Sequence, residues 1–473
     1  MFEKHSQNYT LKANRVIIKP IISAEASMLI QFTVSNFLSF KDEQTFSMVA
    51  DTNKKDTELT DNIFGSVDER ISLLRSAVMY GANASGKSNF IKALAFFFSF
   101  ILASTNSTEQ QTIAVRPYRL EPHYDNKPTK VEAVFEVGNF IYRYGYEVTQ
   151  RAVLKEWLYV IEANKQRKHE KLIFERSLSE LTAKVTGWKK LMPLTRENSL
   201  LLTVAAQFNL LTAKQIINRL AASVMVVSGV DELFAHTTDY LFSQQEKGQN
   251  ADIIADVCKF LKSADISIDG FKVINRELKK ADFADTIPTV FANFLDSLAG
   301  DSVSFKQVIT MHKQFDSDGN VAGVANFDMA AEESGGTNKL FALSVPLLMT
   351  LQRGGLLIID ELESNLHPVI VRYLLSLFNS RIYNKNNAQI VFTTHNDSIL
   401  SNSIFRRDQI WFSEKGEKGA TEIFSLVEFR ENKAIVRKDA SYNKDYLSGR
   451  YGAIPIVTDN YVSEIHSRTE KYD

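Results

Sequence analysis

The stretch Met79-Tyr80-Gly81-Ala82-Asn83-Ala84-Ser85-Gly86-Lys87-Ser88-Asn89 matches the pattern G-x-x-x-x-G-K-[ST] without a gap. Before it, Leu73 to Tyr80 is a short, largely apolar run of strand length. After it, Asn89 to Phe97 holds helix-forming residues with no Gly or Pro. A strand, a glycine turn and a helix start together make a cradle for a triphosphate. The turn aims backbone N–H groups inward and the helix N-terminus adds positive potential. Lys87 is placed to reach the β- and γ-phosphates, and the Ser88 hydroxyl to ligate Mg²⁺. Gly81, Asn83, Ala84, Ser85, Gly86, Lys87, Ser88 and Asn89 are therefore the expected nucleotide contacts.

The chain of 473 residues is long enough for two or three structural units. Its net charge of −1 gives no global field for nucleic acid, so any such contact must come from a local patch. The single cysteine, Cys258, excludes an intramolecular disulfide framework and fits a reducing compartment. It sits in an amphipathic helical pattern as core filler. The longest apolar stretch, Ala93 to Ala103, is interrupted by Ser99 and falls well short of the ~20 residues of a membrane span. No signal peptide is visible, and a cytoplasmic protein is expected.

Residues 1–27 lack periodicity and read as an N-terminal extension, with Met28 a possible natural start. Strands are expected at 28–40, 45–50, 153–161, 171–176 and 198–204, with a hairpin of 130–137 and 140–148 about Gly138-Asn139. Lys165 to His169 is a basic hairpin tip. Residues 210–300 read as mainly helical, and 302–312 and 321–328 as strands. The domain reading is 28–209 as a first lobe that carries the phosphate loop, 210–330 as a helical second lobe or insertion, 331–413 completing the first lobe, and 414–473 as a tail.

Gly355-Leu356-Leu357-Ile358-Ile359-Asp360-Glu361 is a buried-strand pattern that ends in two carboxylates. Asp360 is placed to hold the Mg²⁺ shell and Glu361 to polarise an attacking water. Ser334-Gly335-Gly336-Thr337 opens a long apolar helix with Pro346 as an expected kink, and its glycine pair is a second anion-binding helix start. Gln389 to Asn396 is a strand ending in His395, which can sense a γ-phosphate.

This set, with Leu362-Glu363-Ser364-Asn365-Leu366-His367-Pro368 and Thr393-Thr394-His395-Asn396, resembles the ABC-type ATPase head of the SMC, RecF and OLD proteins. Four stretches are similar more narrowly to the RloA-type, OLD-like ATPases of bacterial phage-defence loci, relatives of the ATPase subunits of AbiL and PARIS systems. They are Asn36 to Phe40, Tyr80 to Asn89, Ala205 to Asn209, and Tyr446-Leu447-Ser448-Gly449-Arg450-Tyr451-Gly452-Ala453-Ile454-Pro455. The resemblance implies an α/β fold, an ABC-type P-loop head with a mixed sheet and a helical second lobe. It implies ATP and Mg²⁺ as cofactors, Ser334, Gly335, Gly336 and Thr337 as a signature loop acting on a partner's nucleotide, and Gln207 as a residue linking Mg²⁺ to the second lobe. Ser364 to His367 would cross the dimer interface and His395 would be the switch histidine. Lys87, Glu361 and His395 are then the catalytic set, with Ser88, Gln207 and Asp360 on the metal. Phe40 is a candidate for stacking on adenine.

The signature reads Glu-Ser-Gly-Gly-Thr, which fits the OLD-like branch better than transporters. No coiled-coil arm separates the halves, and no acidic nuclease cluster follows the head. The resemblance implies an ATP-clamped homodimer, or a higher homo-oligomer, controlling a separately encoded effector, a nuclease, with a phage-encoded trigger and no membrane partner. The alternative is a RecF- or SMC-like DNA-binding repair ATPase; a transporter subunit is the third option.

Overall fold

The computed structural model describes residues 27–51, 57–106, 108, 110–161, 170–227, 229–247, 251–264, 266–279, 302–431, 434–437 and 439–455. Residues 1–26 of the N-terminal extension and the basic tip at 165–169 lie outside the described residues, while Ser27 already opens the strand Ser27–Ser35. The chain divides into two compact units. One comprises Val227–Arg353 with Ser364–Tyr373. The other comprises Ala24–Val226, Gly354–Glu363 and the chain from Leu374 onward.

The larger unit is built around two large sheets, beside two short two-stranded ones. A seven-stranded sheet runs in the order Leu181–Ala183, Glu170–Ser177, Val153–Ile161, Phe140–Val148, Thr129–Val137, Ser27–Ser35, Gln44–Ser47, antiparallel throughout. The expected hairpin forms with Val137 opposite Phe140. The second sheet has the order Val224–Val227, Leu356–Ile359, Gln389–Thr393, Ser76–Tyr80, Ile410–Lys415, Thr421–Ser425. Its central pairs are parallel, and Thr421–Ser425 closes the edge as an antiparallel hairpin.

The helix Lys87–Ala103 lies in the core that both sheets share. Phe97 packs on Phe32 of the antiparallel sheet at 5.8 Å and stacks on Tyr146 at 5.7 Å. Phe90 packs on Phe32 and Phe46 at 6.1 and 5.0 Å. Burying such rings contributes roughly 1.5–3 kcal/mol each, which anchors the helix whose first turn carries Lys87.

The smaller unit centres on the helix Gly335–Arg353, which runs through Pro346 as one element. Its Phe341 touches Phe234 of the helix Val230–Glu246 at 5.2 Å and Phe271 at 5.4 Å. Phe271 belongs to a three-stranded antiparallel sheet of Gly270–Lys279, Ser302–Phe315 and Val321–Asp328. Strand 270–279 falls inside the block read from sequence as helical. Cys258 lies partly buried on the helix Ala251–Ser263, and burial pushes its thiol pKa up, as suits packing rather than reactivity.

Two further expectations change. The run at 198–204 is not a strand: Leu201–Gln207 is a helix packed on the end of Lys87–Ala103. Apolar runs this short satisfy either period, and the Thr203 hydroxyl bond to the Ile101 carbonyl at 2.7 Å belongs to the helical solution. The second difference is that the helix opened by Ser334 belongs with 227–353, not with the strands that carry Asp360 and His395.

Candidate functional site

Parallel pairing brings three strand ends together. Ile359 sits opposite Phe392, and Thr393 opposite Met79. Tyr80, Asp360 and Thr394 therefore leave the C-terminal edge of the sheet side by side, where open α/β sheets bind ligands. The phosphate loop, the Asp360-Glu361 pair and His395 meet there.

The loop is braced from outside its own motif. Gly86 caps the helix at φ 116°, and a Cβ there would lie 2.3 Å from Thr421 Oγ1. Thr421 Oγ1 donates to the Ser85 carbonyl at 2.8 Å, and Ser413 Oγ donates to the same oxygen at 3.0 Å. Asn89 Nδ2 donates to Ser39 Oγ at 2.7 Å, and Ser39 Oγ is also 2.8 Å from Thr421 Oγ1. Sequence reading missed Ser39, Ser413 and Thr421. The Asn36–Phe40 motif was the one signal that pointed toward this brace.

Lys87 is 5% exposed, and its Nζ donates to the carbonyls of Gly81 and Ala82 at 2.8 and 2.9 Å. Desolvation lowers its pKa to about 8, against the opposing pull of Asp360, Glu361 and Glu363. Ser85 Oγ is buried with no partner among the described residues. A folded-back lysine and an orphan hydroxyl in a glycine turn at a helix start are what a triphosphate would satisfy, so the residues present fit that group.

The carboxylates are held as firmly. Thr393 Oγ1 donates to Asp360 Oδ1 at 2.6 Å and accepts from the Glu361 N–H at 2.8 Å. Glu361 itself is exposed at φ 50°. His395 is exposed, and its N–H donates to Glu363 Oε1 at 2.5 Å. Glu363 Oε2 is buried without a partner among the described residues. Ser88 lies half-buried at the start of the helix, and with Asp360 it is the pair available to a Mg²⁺ ion.

Two expected residues stand elsewhere. Gln207 is exposed and bonds Thr105 Oγ1 at 2.7 Å, beyond the C-terminal end of Lys87–Ala103. At a rise of 1.5 Å per residue that is about 25 Å from Ser88, too far to touch a shared metal ion. Phe40 is 0% exposed, packed in the core, and cannot stack on a base.

In the smaller unit, Ser334 and Gly335 are exposed at the start of a 19-residue helix. Ser334 Oγ accepts from the Thr337 N–H at 3.1 Å, and Glu333 is pinned by Thr310 Oγ1 and His312 Nε2, each at 2.7 Å. Asn365 and Ser364 lie against this turn. A Cβ on Gly336 would come 2.7 Å from the Asn365 carbonyl, and Lys339 Nζ donates to Ser364 Oγ. The Ser334–Thr337 turn and Ser364-Asn365 thus form one patch.

A family model matches residues 76–190 and 241–401, more than half of the chain; its description is AAA domain, putative AbiEii toxin, Type IV TA system. The chain belongs to this family. The matched residues include the phosphate loop, Ser334–Thr337, Asp360-Glu361 and His395. No curated protein matches. Among solved structures the chain is similar to an SMC head bound to the C-terminal winged-helix domain of ScpA, at 12% identity and TM-score 0.41, covering 84% of this chain and 98% of that one. It is also similar to the SMC head domain from Thermotoga maritima, at 12% identity and TM-score 0.35, covering 84% and 98%. Among the described residues no helix is long and apolar enough to cross a membrane.

Proposed function

We propose that this chain is the Mg²⁺-dependent ATP-hydrolysing subunit of an abortive-infection type antiphage system, working as an ATP-clamped homodimer that controls a separate effector, a nuclease. The observation that carries the ATPase reading is the convergence of Lys87, Asp360, Glu361 and His395 on one sheet edge beside the buried, unpartnered Ser85 hydroxyl. Lys87 would turn from its own loop carbonyls to the phosphates, Ser88 and Asp360 would hold a Mg²⁺ ion, and Glu361 would take the proton of the attacking water. A bound cation would supply charge neutralisation on the phosphates.

The exposed Ser334-Gly335 helix start supports the dimer. It presents the backbone N–H groups of Gly335 and Gly336 and a positive dipole end to an anion, and its patch includes Asn365, only four residues after Glu361 in sequence. In the larger unit, Asn89 and Ser39 also line a cavity of about 1130 Å³ with Tyr118, Arg119, Arg151 and Lys415 on its walls. The cavity begins where the last phosphate-loop residue ends, so it is the natural seat for the nucleoside, with arginine planes in place of the excluded Phe40.

Mass measurement with and without ATP tests the reading. Wild type should double in mass with ATP, Lys87→Ala should not, and Glu361→Gln should stay doubled while turnover falls about a hundredfold or more. A Glu361→Gln variant that hydrolyses ATP at the wild-type rate removes Glu361 from its role. DNA-stimulated turnover by the chain alone would favour the RecF-like alternative, with strong salt dependence as its mark.

A further inference from the structure

The carboxy-terminal motif, Tyr446 to Pro455, has no task in the nucleotide reading, yet it folds back on the entry to the phosphate loop. The helix Tyr442–Leu447 buries Tyr446 to 7% exposure. Its ring stacks on Phe412 at 5.4 Å and lies 5.8 Å from Tyr80. Its hydroxyl donates to the Ala453 carbonyl at 3.1 Å, and Tyr80, the ring it packs against, leads directly into Gly81, the first glycine of the loop.

The rest of the motif holds that hydroxyl in place. Gly449, Gly452 and Ala453 turn the chain at φ 79°, 67° and 56°. Tyr451 packs on Phe412 at 5.6 Å and donates to Asp445 at 2.9 Å, and the Ala453 N–H donates to Glu414 at 3.4 Å. On its other side the loop entry has no slack, since a Cβ on Gly81 would lie 2.4 Å from the Ser413 carbonyl. Tyr80 extends the contact: its hydroxyl donates to the Asn396 carbonyl at 3.2 Å, one residue past His395.

We infer that Tyr446 is a positioning residue of the nucleotide site, holding Tyr80 and the Gly81 that follows it at the loop entry and, through Tyr80, steadying the segment that carries His395. The inference rests on the ATPase reading above. A residue needed only for packing would be served by phenylalanine, which fills the same space without a buried hydroxyl to satisfy. Burial and the nearby Asp397 push the phenol pKa to about 12, so the hydroxyl stays neutral and keeps its bond to the Ala453 carbonyl.

The test uses the full chain and three variants, Tyr446→Phe, Tyr446→Ala and Leu447→Ala, the last at an exposed neighbour on the same helix. Affinity for a fluorescent ATP analogue, KM and kcat for hydrolysis, and nucleotide-free Tm are measured on each. Tyr446→Phe should raise Kd and KM about three- to tenfold, the worth of one buried hydrogen bond, with kcat within about twofold. Tyr446→Ala should exceed this, and Leu447→Ala should match wild type. Wild-type Kd and KM in Tyr446→Phe, or a fall in Tm alone, overturns the positioning role. If Lys87→Ala binds as well as wild type, the ATPase reading fails first and takes this inference with it.

Discussion

Lys87 gives the site a pH dependence whose sign and window follow from its surroundings. Without nucleotide its ammonium is desolvated, and its pKa falls from the model-peptide 10.5 to about 8. A bound triphosphate favours the charged form, so binding above pH 8 must take up a proton. Affinity then falls with pH by up to one decade per unit, from about twofold at pH 8 to about tenfold at pH 9 relative to pH 6.5. The stability term has the opposite sign. A lysine whose folded pKa lies below its unfolded value opposes folding while charged, so its penalty is full below about pH 8 and is relieved as pH rises toward 10.5. Titration calorimetry with Mg-ATP from pH 6.5 to 9.5, in buffers of different ionisation enthalpy, measures both the slope and the proton uptake. Lys87→Arg, always charged, should flatten the profile at whatever affinity it retains. A wild-type profile that stays flat to pH 9.5 with no proton uptake would refute the reasoning.

Gly86→Ala puts a Cβ on a residue at φ 116°, 2.3 Å from Thr421 Oγ1 and 2.6 Å from its Cγ2; ATP binding should become undetectable while far-UV circular dichroism stays native, and Thr421→Ala in the same chain should recover part of it by removing both clashing atoms. Gly336→Ala drives a Cβ to 2.7 Å from the Asn365 carbonyl, away from the chain's own phosphate loop in sequence and in unit. It should leave ATP binding by the monomer intact and weaken ATP-dependent dimerisation about tenfold or more, read by analytical ultracentrifugation.

How much of this was legible in the chain depended on whether the deciding contacts were local. The hairpin at 130–148 was, because alternation and a Gly138-Asn139 turn specify register within 20 residues. The phosphate loop was, because its chemistry is contiguous. Its brace was not: Ser413 and Thr421 lie 328 and 336 residues from the Ser85 carbonyl they bond, and neither stands in a pattern of its own. Gln207 failed for a related reason. A glutamine after an apolar run marks a hinge only if the run leads back to the nucleotide, and here Leu201–Gln207 leads instead to the far end of the Lys87 helix. Phe40 failed because an aromatic residue beside a motif is as useful to the core as to a ligand, and sequence carries no measure of exposure.

Glu363 is the carboxylate that the pair Asp360-Glu361 overshadowed, and its geometry separates two roles a single deletion would merge. One oxygen accepts the His395 N–H at 2.5 Å, while the other is buried without a partner among the described residues. The first oxygen holds the backbone at His395; the negative charge raises the Lys87 pKa along with Asp360 and Glu361. Glu363→Gln keeps an acceptor for His395 and removes the charge, so kcat should stay within about threefold of wild type and the pH midpoint of ATP binding should move lower. Glu363→Ala removes both, frees the His395 backbone, and should lower kcat about tenfold or more on top of the same midpoint shift. Equal kcat for the two variants would show that the bond to His395 does not position it. An unchanged midpoint in both would show that Glu363 is not among the charges Lys87 feels, and that the orphan oxygen serves something other than the lysine.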